Sequence, residues 1–503
     1  MKKISTLIAI FLLISFSARA DYNTPGTGKR WNLDSLVVNS AGAVTFSGGE
    51  YFFTTNILVS QTDTLSIRNN ATVKFSSLTL LNIFGTLIIN PPDSVKFTTS
   101  DTAVKFVGIR LDSLSDASVM RKLIMENANS IRLYDCNALI DSCFLRNNNY
   151  YASGLVRGAI YLFRSNPVIS NNRIVRNGYS AITSGANIAS SPTIINNLIY
   201  ANDNTNYNVA QINLGAGGTS PVIIRNNSII GLYTNAGGIA FLPVGAIPSL
   251  IIENNIIKNN RYGIALLAGG INAYINNNII DSNNIQGSPT LGGSGLNFAG
   301  GWTTSSAIVT RNTVRWNLWG VTIQNTAKPN LGNLSNPDTT DEGNNIIWGN
   351  GNTGKVFDLF NNTPDTIKAE NNFWGTMNLD TIESHIFHKT DSTVLGFVDY
   401  LPIRGPVSFS GQEIKIDSYE ILDAYPNPFN PVVNINYHLK YTGKYLLRVF
   451  DILGNETVTL YYGDAVPGDY KIKWDASAYP SGIYFLRLEN GGNFYTKKLV
   501  LLK

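Results

Sequence analysis

Three stretches near the middle of the chain decide the fold: Val168-Ile169-Ser170-Asn171-Asn172-Arg173-Ile174, Thr193-Ile194-Ile195-Asn196-Asn197-Leu198-Ile199 and Val222-Ile223-Ile224-Arg225-Asn226-Asn227-Ser228-Ile229. Each places an Asn pair between short aliphatic runs. The second residue of each pair marks what we call the ladder positions: Asn172, Asn197, Asn227, Asn255, Asn278, Asn312, Asn345 and Asn372, with Cys143 in the preceding repeat. Successive positions lie between 23 and 34 residues apart. Such a variable repeat is typical of a solenoid whose insertions form loops.

Two apolar columns accompany the ladder positions. An apolar residue stands two positions after every one of them, from Leu145 to Trp374, and Ile or Val stands three positions before, except at Glu342 and Ala369. This pattern fits short parallel strands stacked about 4.8 Å apart, with aliphatic side chains inside and Asn side chains hydrogen-bonded along the stack. A second Asn series five positions further on is interrupted at Leu232 and comprises Asn148, Asn177, Asn202, Asn260, Asn283, Asn317 and Asn350.

Short alternating segments upstream, such as Val95-Lys96-Phe97, predict the first coils, entered from a cap near residues 31–53. Together with the closing Asn371-Asn372-Phe373-Trp374-Gly375-Thr376, residues 31–402 resemble secreted right-handed parallel β-helix repeat proteins of the pectin-lyase-like class. The resemblance implies an all-β chain, and we assign residues 21–404 to a right-handed parallel β-helix with an N-terminal cap.

The first 20 residues resemble a cleaved signal peptide. A basic start at Lys2 and Lys3 precedes an apolar stretch, and the small residues Ala18 and Ala20 mark a cleavage site. The alternative, a membrane anchor, is less favoured because the apolar stretch is about half of the roughly 20 residues that a bilayer requires. Removing this segment takes away three of 38 basic residues, which leaves 35 against 34 acidic ones and lowers the formal charge from +4 to +1. This balance does not favour nucleic acid as a partner.

A different domain is predicted after a linker at residues 405–420. Residues 421–503 contain several short strand-like runs separated by turn residues, which predicts a small immunoglobulin-like antiparallel β-sandwich. They resemble the type A C-terminal sorting domain of type IX secretion, through the motif residues Pro426, Asn427, Pro428, Phe429, Asn430, Pro431, Gly454, Gly482, Lys497 and Lys498. The resemblance implies recognition by the outer-membrane secretion machinery, followed by processing and attachment to surface lipopolysaccharide. The alternative is a purely structural immunoglobulin-like module.

Catalytic groups are sparse in the predicted β-helix. A glycoside hydrolase needs paired carboxylates, and a lyase needs a base beside a cationic group. The acids between residues 166 and 348 are few and scattered: Asp203, Glu253, Asp281, Asp338, Asp341 and Glu342. The histidines His385 and His388 have no third ligand nearby in the sequence, so we predict loop residues there and no metal or cofactor. Cys136 and Cys143 are predicted to be free packing thiols.

Candidate binding residues lie in long polar loops at residues 200–211, 285–302 and 325–341 and in one column of charges. Tyr207 and Trp302 could stack on sugar rings, whereas Trp316 and Trp319 are predicted to cover the core. Lys258, Asp281 and Arg315 share one outward column on consecutive coils. We interpret them as exposed ion pairs worth a few tenths of a kcal/mol each, with a ligand site as the alternative.

The sequence therefore predicts an exported, noncatalytic surface or secreted β-helix protein. Adhesion, glycan contact and an extracellular scaffold are the roles that this architecture supports. The alternative is a carbohydrate-active enzyme, a polysaccharide lyase or a glycoside hydrolase, with an unrecognised site on the same fold.

Overall fold

A computed structural model describes residues 21–148, 156–300, 306–352, 355–405, 422–439, 443–452, 455–466, 468–490 and 493–503. The chain forms two compact units, Met1–Pro406 and Val407–Lys503. Each unit has its own hydrophobic core. The predicted signal peptide with Ala18 and Ala20, and residues 406–420 of the predicted linker, lie outside the described residues.

The first unit winds through three long sheets, which we call A, B and C. Sheet A has 14 strands: Tyr22–Asn23, Ile57–Val59, Leu80–Ile83, Phe106–Leu111, Ala128–Tyr134, Ile160–Phe163, Ile182–Ser184, Ala210–Leu214, Gly237–Phe241, Ile264–Leu266, Ser294–Ala299, Trp319–Gln324, Leu359–Asn362 and Ile386–Phe387. Sheet B has 11 strands: Arg30–Trp31, Thr64–Ile67, Thr86–Ile89, Val119–Arg121, Leu139–Asp141, Val168–Ser170, Thr193–Ile195, Val222–Arg225, Ser249–Glu253, Asn272–Asn276 and Ser306–Thr310. Sheet C has 13 strands: Val44–Ser47, Glu50–Phe53, Ala71–Phe75, Val95–Thr99, Leu123–Glu126, Phe144–Arg146, Arg173–Val175, Leu198–Tyr200, Ser228–Ile230, Ile256–Lys258, Ile279–Asp281, Thr313–Arg315 and Ile346–Trp348.

A typical coil contributes one strand to sheet B, then one to sheet C, then one to sheet A, and each strand pairs in parallel with its equivalent in the next coil. The bend from sheet B to sheet C needs only two residues, for example Asn226 and Asn227. Asn226 has a φ of 57°, in the left-handed region that Asn tolerates better than most residues. The bend from sheet C to sheet A repeats this arrangement, with Asn259 at a φ of 53° before Asn260. The predicted Asn pairs are therefore the corners of the coils.

The interior of the solenoid is a stack of aliphatic side chains. The column two residues after the ladder positions pairs in register through Ile174, Ile199, Ile229, Ile257, Ile280, Val314 and Ile347, all fully buried. Burying a side chain of this size contributes about 1.5–3 kcal/mol, and the stack supplies one such residue per coil. The all-β fold and the parallel β-helix are as predicted.

The ends of the first unit depart from the regular coil. Near the start, the helix Leu33–Asn39 buries Leu33 and Leu36, and the strands Val44–Ser47 and Glu50–Phe53 pair antiparallel. Near the other end lie the helix Leu379–Ser384 and two small pairs, Gly351–Asn352 with Lys355–Val356 and Ile367–Lys368 with Val398–Asp399. His388 is buried there, where its Nε2 lies 2.9 Å from Glu383 Oε1 and its Nδ1 accepts from the Val398 amide at 2.9 Å. This imidazole is tied into the packing of the solenoid end.

The second unit contains two antiparallel sheets. One sheet has three strands: Leu422–Tyr425, Val432–Leu439 and Gly468–Asp475. The other has four strands: Glu456–Ala465, Gly443–Phe450, Gly482–Asn490 and Asn493–Leu501. Phe429 and Trp474 are buried between them with ring centroids 5.4 Å apart, as expected for a small sandwich. Among the described residues, neither helix is long and apolar enough to cross a membrane.

Two motif residues of the second unit, Asn427 and Phe429, form hydrogen bonds to its last strand. Asn427 Nδ2 donates to the Lys498 carbonyl and its Oδ1 accepts from the Val500 amide, both at 2.8 Å. The Phe429 amide donates to the Val500 carbonyl at 2.9 Å. Gly482 opens its strand, Lys497 and Lys498 lie on the last one, and Gly454 falls outside the described residues. The proline-rich segment is therefore fixed to the strand that carries the two lysines.

Candidate functional site

The eight ladder asparagines form one continuous run of hydrogen bonds at the corner between sheets B and C. In each coil the backbone amide and the side-chain Nδ2 both donate to Oδ1 of the Asn in the next coil, over distances of 2.8–3.1 Å. The Cys143 amide begins the run by donating to Asn172 Oδ1 at 2.8 Å. All eight side chains are buried. Since their amides bond within the fold, the ladder supports the solenoid and leaves no group for a ligand.

Both cysteines are buried free thiols. Burial raises the pKa of each to about 12, so neither is a thiolate at neutral pH. The Cys143 Sγ lies 3.3 Å from the Met120 and Asp141 carbonyl oxygens, at the position where later coils carry the ladder Asn. These thiols fill the interior and offer no nucleophile.

The second Asn series continues across Leu232 through a residue that the sequence did not reveal. Asn202 Nδ2 donates to Gln211 Oε1 at 3.1 Å, and Gln211 Nε2 donates to Asn260 Oδ1 at 2.9 Å. Gln211 is fully buried. At the far end, Asn350 Nδ2 donates to Asp358 Oδ1 at 2.8 Å. Two residues outside the repeat thus complete the second series.

The three charges of the outward column come together, but not as exposed pairs. The Asp281 Oδ2 lies 3.3 Å from Lys258 Nζ and 3.0 Å from Arg315 Nε. Its side chain is 2% exposed, whereas the two cations are each 25% exposed. The interpretation as exposed ion pairs was wrong, because the short Asp281 side chain lies beneath the longer Lys258 and Arg315 on the neighbouring strands.

The aromatic candidates are dispersed. Tyr207 is exposed, and its ring contacts Tyr179 and the Arg157 guanidinium rather than the charged column. Trp302 lies outside the described residues. The prediction that Trp316 covers the core was wrong: this residue has a φ of 57° at a coil corner and is 43% exposed. Its ring packs outside the coil, beneath the Arg315 guanidinium.

Trp319 is half-buried and packs on other aromatic rings near the end of sheet A. Its ring stacks on Phe357 at 4.5 Å and meets Phe360 at 5.2 Å. The indole Nε1 donates to the Pro289 carbonyl at 3.0 Å. The indole is therefore held by contacts within the fold.

A groove of about 400 Å³ opens on the outer face of sheet A. Its floor consists of outward positions that pair in register on four adjacent strands: Asn213, Ala240, Ala265 and Asn297. The two alanines leave space between the two amides. Leu242 and Leu267 form one wall. The opposite wall comes from loops between sheets C and A and includes Asn208, Arg261, Tyr262, Leu291 and Gly292.

Two charged residues hold the loop wall in place. Arg261 Nε donates to the Leu291 carbonyl at 2.7 Å, and the same guanidinium contacts the Asn208 side chain, so it joins two loops. Asp203 is fully buried, and its carboxylate accepts from the Tyr207 amide at 2.9 Å and the Asn208 amide at 3.1 Å. Burial raises the pKa of Asp203 to about 6, against the opposite effect of these backbone hydrogen bonds. The loops of this wall are therefore held in place by the hydrogen bonds of Arg261 and Asp203.

The groove offers hydrogen bonds and apolar contact. Asn297 Oδ1 is buried and has no hydrogen-bond partner among the described residues. Burial raises the pKa of Tyr262 to about 12, so its hydroxyl stays neutral near pH 7. No Asp or Glu lines the groove. Within the described part of the chain, no group of three His, Cys, Asp or Glu could hold a metal ion. The groove therefore combines apolar surface with a few hydrogen-bonding groups, as ligand pockets commonly do.

Comparisons with known proteins agree with this architecture. The family described as "Right handed beta helix region" matches residues 143–302, and the family described as "Secretion system C-terminal sorting domain" matches residues 423–502. No curated protein matches the chain.

Among solved structures, similarity is found to phage tailspike proteins. The Dettilon tailspike protein is 12% identical with a TM-score of 0.32, covering 88% of this chain and 83% of its own. A tailspike protein of the Acinetobacter baumannii bacteriophage Fri1, a capsular polysaccharide depolymerase, is 10% identical with a TM-score of 0.24, covering 96% and 78%. The enzymatically active domain of tailspike protein 4 of bacteriophage CBA120 is 10% identical with a TM-score of 0.30, covering 90% and 68%.

The sorting-domain match establishes the destination of the chain. A type IX sorting domain interacts with the secretion machinery, and proteins that carry it are exported to the cell surface or beyond. The chain is therefore a type IX-exported protein that consists of a right-handed parallel β-helix and a C-terminal sorting domain.

Proposed function

We propose that this protein is a noncatalytic polysaccharide-binding protein of the cell surface or the extracellular space, and that it binds its ligand along the outer face of sheet A. The observation that supports this proposal is the groove on the outer face of sheet A. Two alanines leave room on its floor, the flanking Asn213 and Asn297 offer amides, and the leucine wall offers apolar contact. Ligand sites of this size combine apolar surface with a few polar groups in the same way.

The composition of the groove favours binding over cleavage. A hydrolase needs two carboxylates about 5–10 Å apart, and none lines the groove. A lyase needs a base, but the Tyr262 hydroxyl with a pKa of about 12 stays protonated, and Arg261 is engaged with Leu291 and Asn208. A carbohydrate-active enzyme on this fold is the alternative, and it predicts cleavage products that the binding proposal does not.

Filling the groove should abolish polysaccharide binding. The change Ala240→Trp places a large ring on the floor between the two amides, and we expect at least a tenfold loss of affinity in a polysaccharide pull-down or titration. The control is Ile251→Trp, which puts the same ring on the outer face of sheet B in an adjacent region. Equal binding by the two variants would place the ligand elsewhere.

Transport across the outer membrane should depend on the second unit, whereas the β-helix should fold without it because each unit has its own core. Deleting residues 421–503 should leave the β-helix folded and protease-resistant but retained in the periplasm of the producing cell. Cell fractionation with surface proteolysis measures this. Normal surface display of the truncated protein would contradict the sorting role. Attachment to surface lipopolysaccharide after export is part of the same proposal.

A further inference from the structure

A pair of arginines lies on the outer face of sheet A, away from the groove. Arg110 pairs with Arg132 on the next strand, and Arg132 pairs with Tyr161 on the strand after it. Adjacent strands are about 4.8 Å apart, so the two guanidinium groups are close neighbours. Tyr134 lies on the same strand as Arg132, with its ring 6.2 Å from that of Tyr161. Two cations and two phenol rings therefore share one patch.

The two arginines differ in their partners. Arg110 forms an ion pair with Asp112 at 2.8 Å and lies over the Tyr134 ring at 4.4 Å. Arg132 is only 9% exposed, and its Nε and Nη2 have no hydrogen-bond partner among the described residues. Burial lowers the pKa of Arg132 and the neighbouring Arg110 lowers it further, whereas Tyr134 raises it through its charge and a side-chain hydrogen bond. Among the described residues, no carboxylate forms an ion pair with this buried guanidinium.

This arrangement costs stability. A buried charge without an ion-pair partner is unfavourable, and a like charge directly across the strand pair adds to the cost. The fold does not require a cation there, since the same outward column holds Asn82, Tyr161 and Thr183 in other coils. A cost that the fold does not require indicates that Arg132 serves a ligand.

We propose that Arg132, with Arg110 beside it, binds an oxyanion carried on a sugar, either a carboxylate or a sulfate ester, so that the polysaccharide ligand is acidic. The planar guanidinium matches such groups with two parallel hydrogen bonds, and the flanking Tyr134 and Tyr161 rings offer surfaces for the sugar. This inference rests on the proposed function and names its ligand class. The strand of Arg132 lies four strand spacings from that of Ala240, about 19 Å, so one extended chain can reach both.

Binding has a local spectroscopic signal. Arg110 is 36% exposed and makes the first contact, whereas the Nε and Nη2 atoms of Arg132 are covered. An anion reaches them only when the Arg132 side chain or a tyrosine ring rotates. We therefore expect a change in tyrosine fluorescence on binding, which Tyr161→Phe should reduce.

The test is titration calorimetry on the full chain with an oligogalacturonide, its fully methyl-esterified form, a sulfated neutral oligosaccharide and inorganic sulfate. We expect the acidic or sulfated sugar to bind at least tenfold more tightly than the ester. Arg132→Leu should remove this preference without lowering the unfolding temperature, because it removes an unpaired buried charge. Arg110→Leu provides an independent test of the same preference. The control Arg225→Leu removes an arginine paired with Glu253 on sheet B and should leave binding unchanged.

Three results would overturn the inference. The first is equal binding of the charged and esterified sugars. The second is a charge preference that survives both Arg132→Leu and Arg110→Leu. The third is Arg132-dependent binding of inorganic sulfate as tight as that of the acidic sugars, which would show a site for free anions. If Ala240→Trp abolishes binding while charge has no effect, the proposed function stands and this inference fails. If none of the sugars binds, both fail.

Discussion

Replacing Asn227 by Ala should lower the free energy of unfolding by about 3–5 kcal/mol, because buried groups lose their partners on both sides. Its Nδ2 donates to the Ile194 carbonyl at 2.9 Å and to Asn255 Oδ1 at 3.0 Å, and its Oδ1 accepts from the Asn197 amide at 2.9 Å. Leaving such groups unpaired costs about 1–3 kcal/mol each, which local relaxation reduces only in part. Urea unfolding of the full chain measures the change.

The neighbouring Asn226 is the matched control. It is exposed, and its φ of 57° suits Gly, so Asn226→Gly should change the free energy of unfolding by less than about 0.5 kcal/mol. If Asn227→Ala lowers the free energy of unfolding by less than about 1 kcal/mol, the ladder contributes little to the stability of the fold.

Asp281→Leu should also be strongly destabilising, by about 3 kcal/mol. Removing the carboxylate leaves Lys258 and Arg315 facing each other without the acid that lies between them. Breaking a buried pair costs about 3–5 kcal/mol, and the partial exposure of the two cations places this case near the lower end. The same urea unfolding experiment measures it.

The control for Asp281 is the triple change Lys258→Met, Asp281→Leu and Arg315→Met, which removes all three charges and should recover most of the lost stability. A second comparison is Glu253→Gln. Its partner Arg225 is 43% exposed, so the effect should stay below about 1 kcal/mol. An equally small effect for Asp281→Leu would restore the interpretation as surface ion pairs.

The β-helix was predictable because the same sequence pattern recurs in successive coils. Each coil repeats the same corner, where a left-handed residue such as Asn226 precedes an inward Asn, and β-branched residues flank that corner. The sorting domain was predictable for a different reason, since its proline-rich motif and glycine turns are fixed in order along the chain. In both cases the signal is local and recurs at set positions.

The candidate site was much less predictable because it depends on contacts between coils. Ala240 and Ala265 look like ordinary strand residues, and only the stacking of their strands shows that they leave a groove between Asn213 and Asn297. Gln211 occurs outside the repeat, so its bridge to Asn260 has no sequence signal beyond the missing Asn at Leu232. A sequence shows which residues point outward on successive coils, but it does not show how deeply each of these side chains is buried.

Arg132 illustrates the same limit. Its outward position follows from strand alternation, but the absence of a carboxylate beside it depends on which residues the neighbouring coils place there. Asp112 follows the strand that carries Arg110, and its carboxylate forms an ion pair with Arg110.

The exposure of Trp316 was not predicted, because the left-handed conformation of this residue at a coil corner turns its ring outward.

We propose that the outer face of sheet A binds polysaccharide without cleaving it. To test this, the full chain is incubated with a soluble acidic polysaccharide. Both the bound fraction and the length distribution of the polymer are then measured. We expect binding by the native protein, loss of binding in Ala240→Trp, and an unchanged polymer length in both. Progressive shortening of the polymer by the native protein, abolished by Ala240→Trp, would contradict this proposal and identify the groove as the active site of a depolymerase.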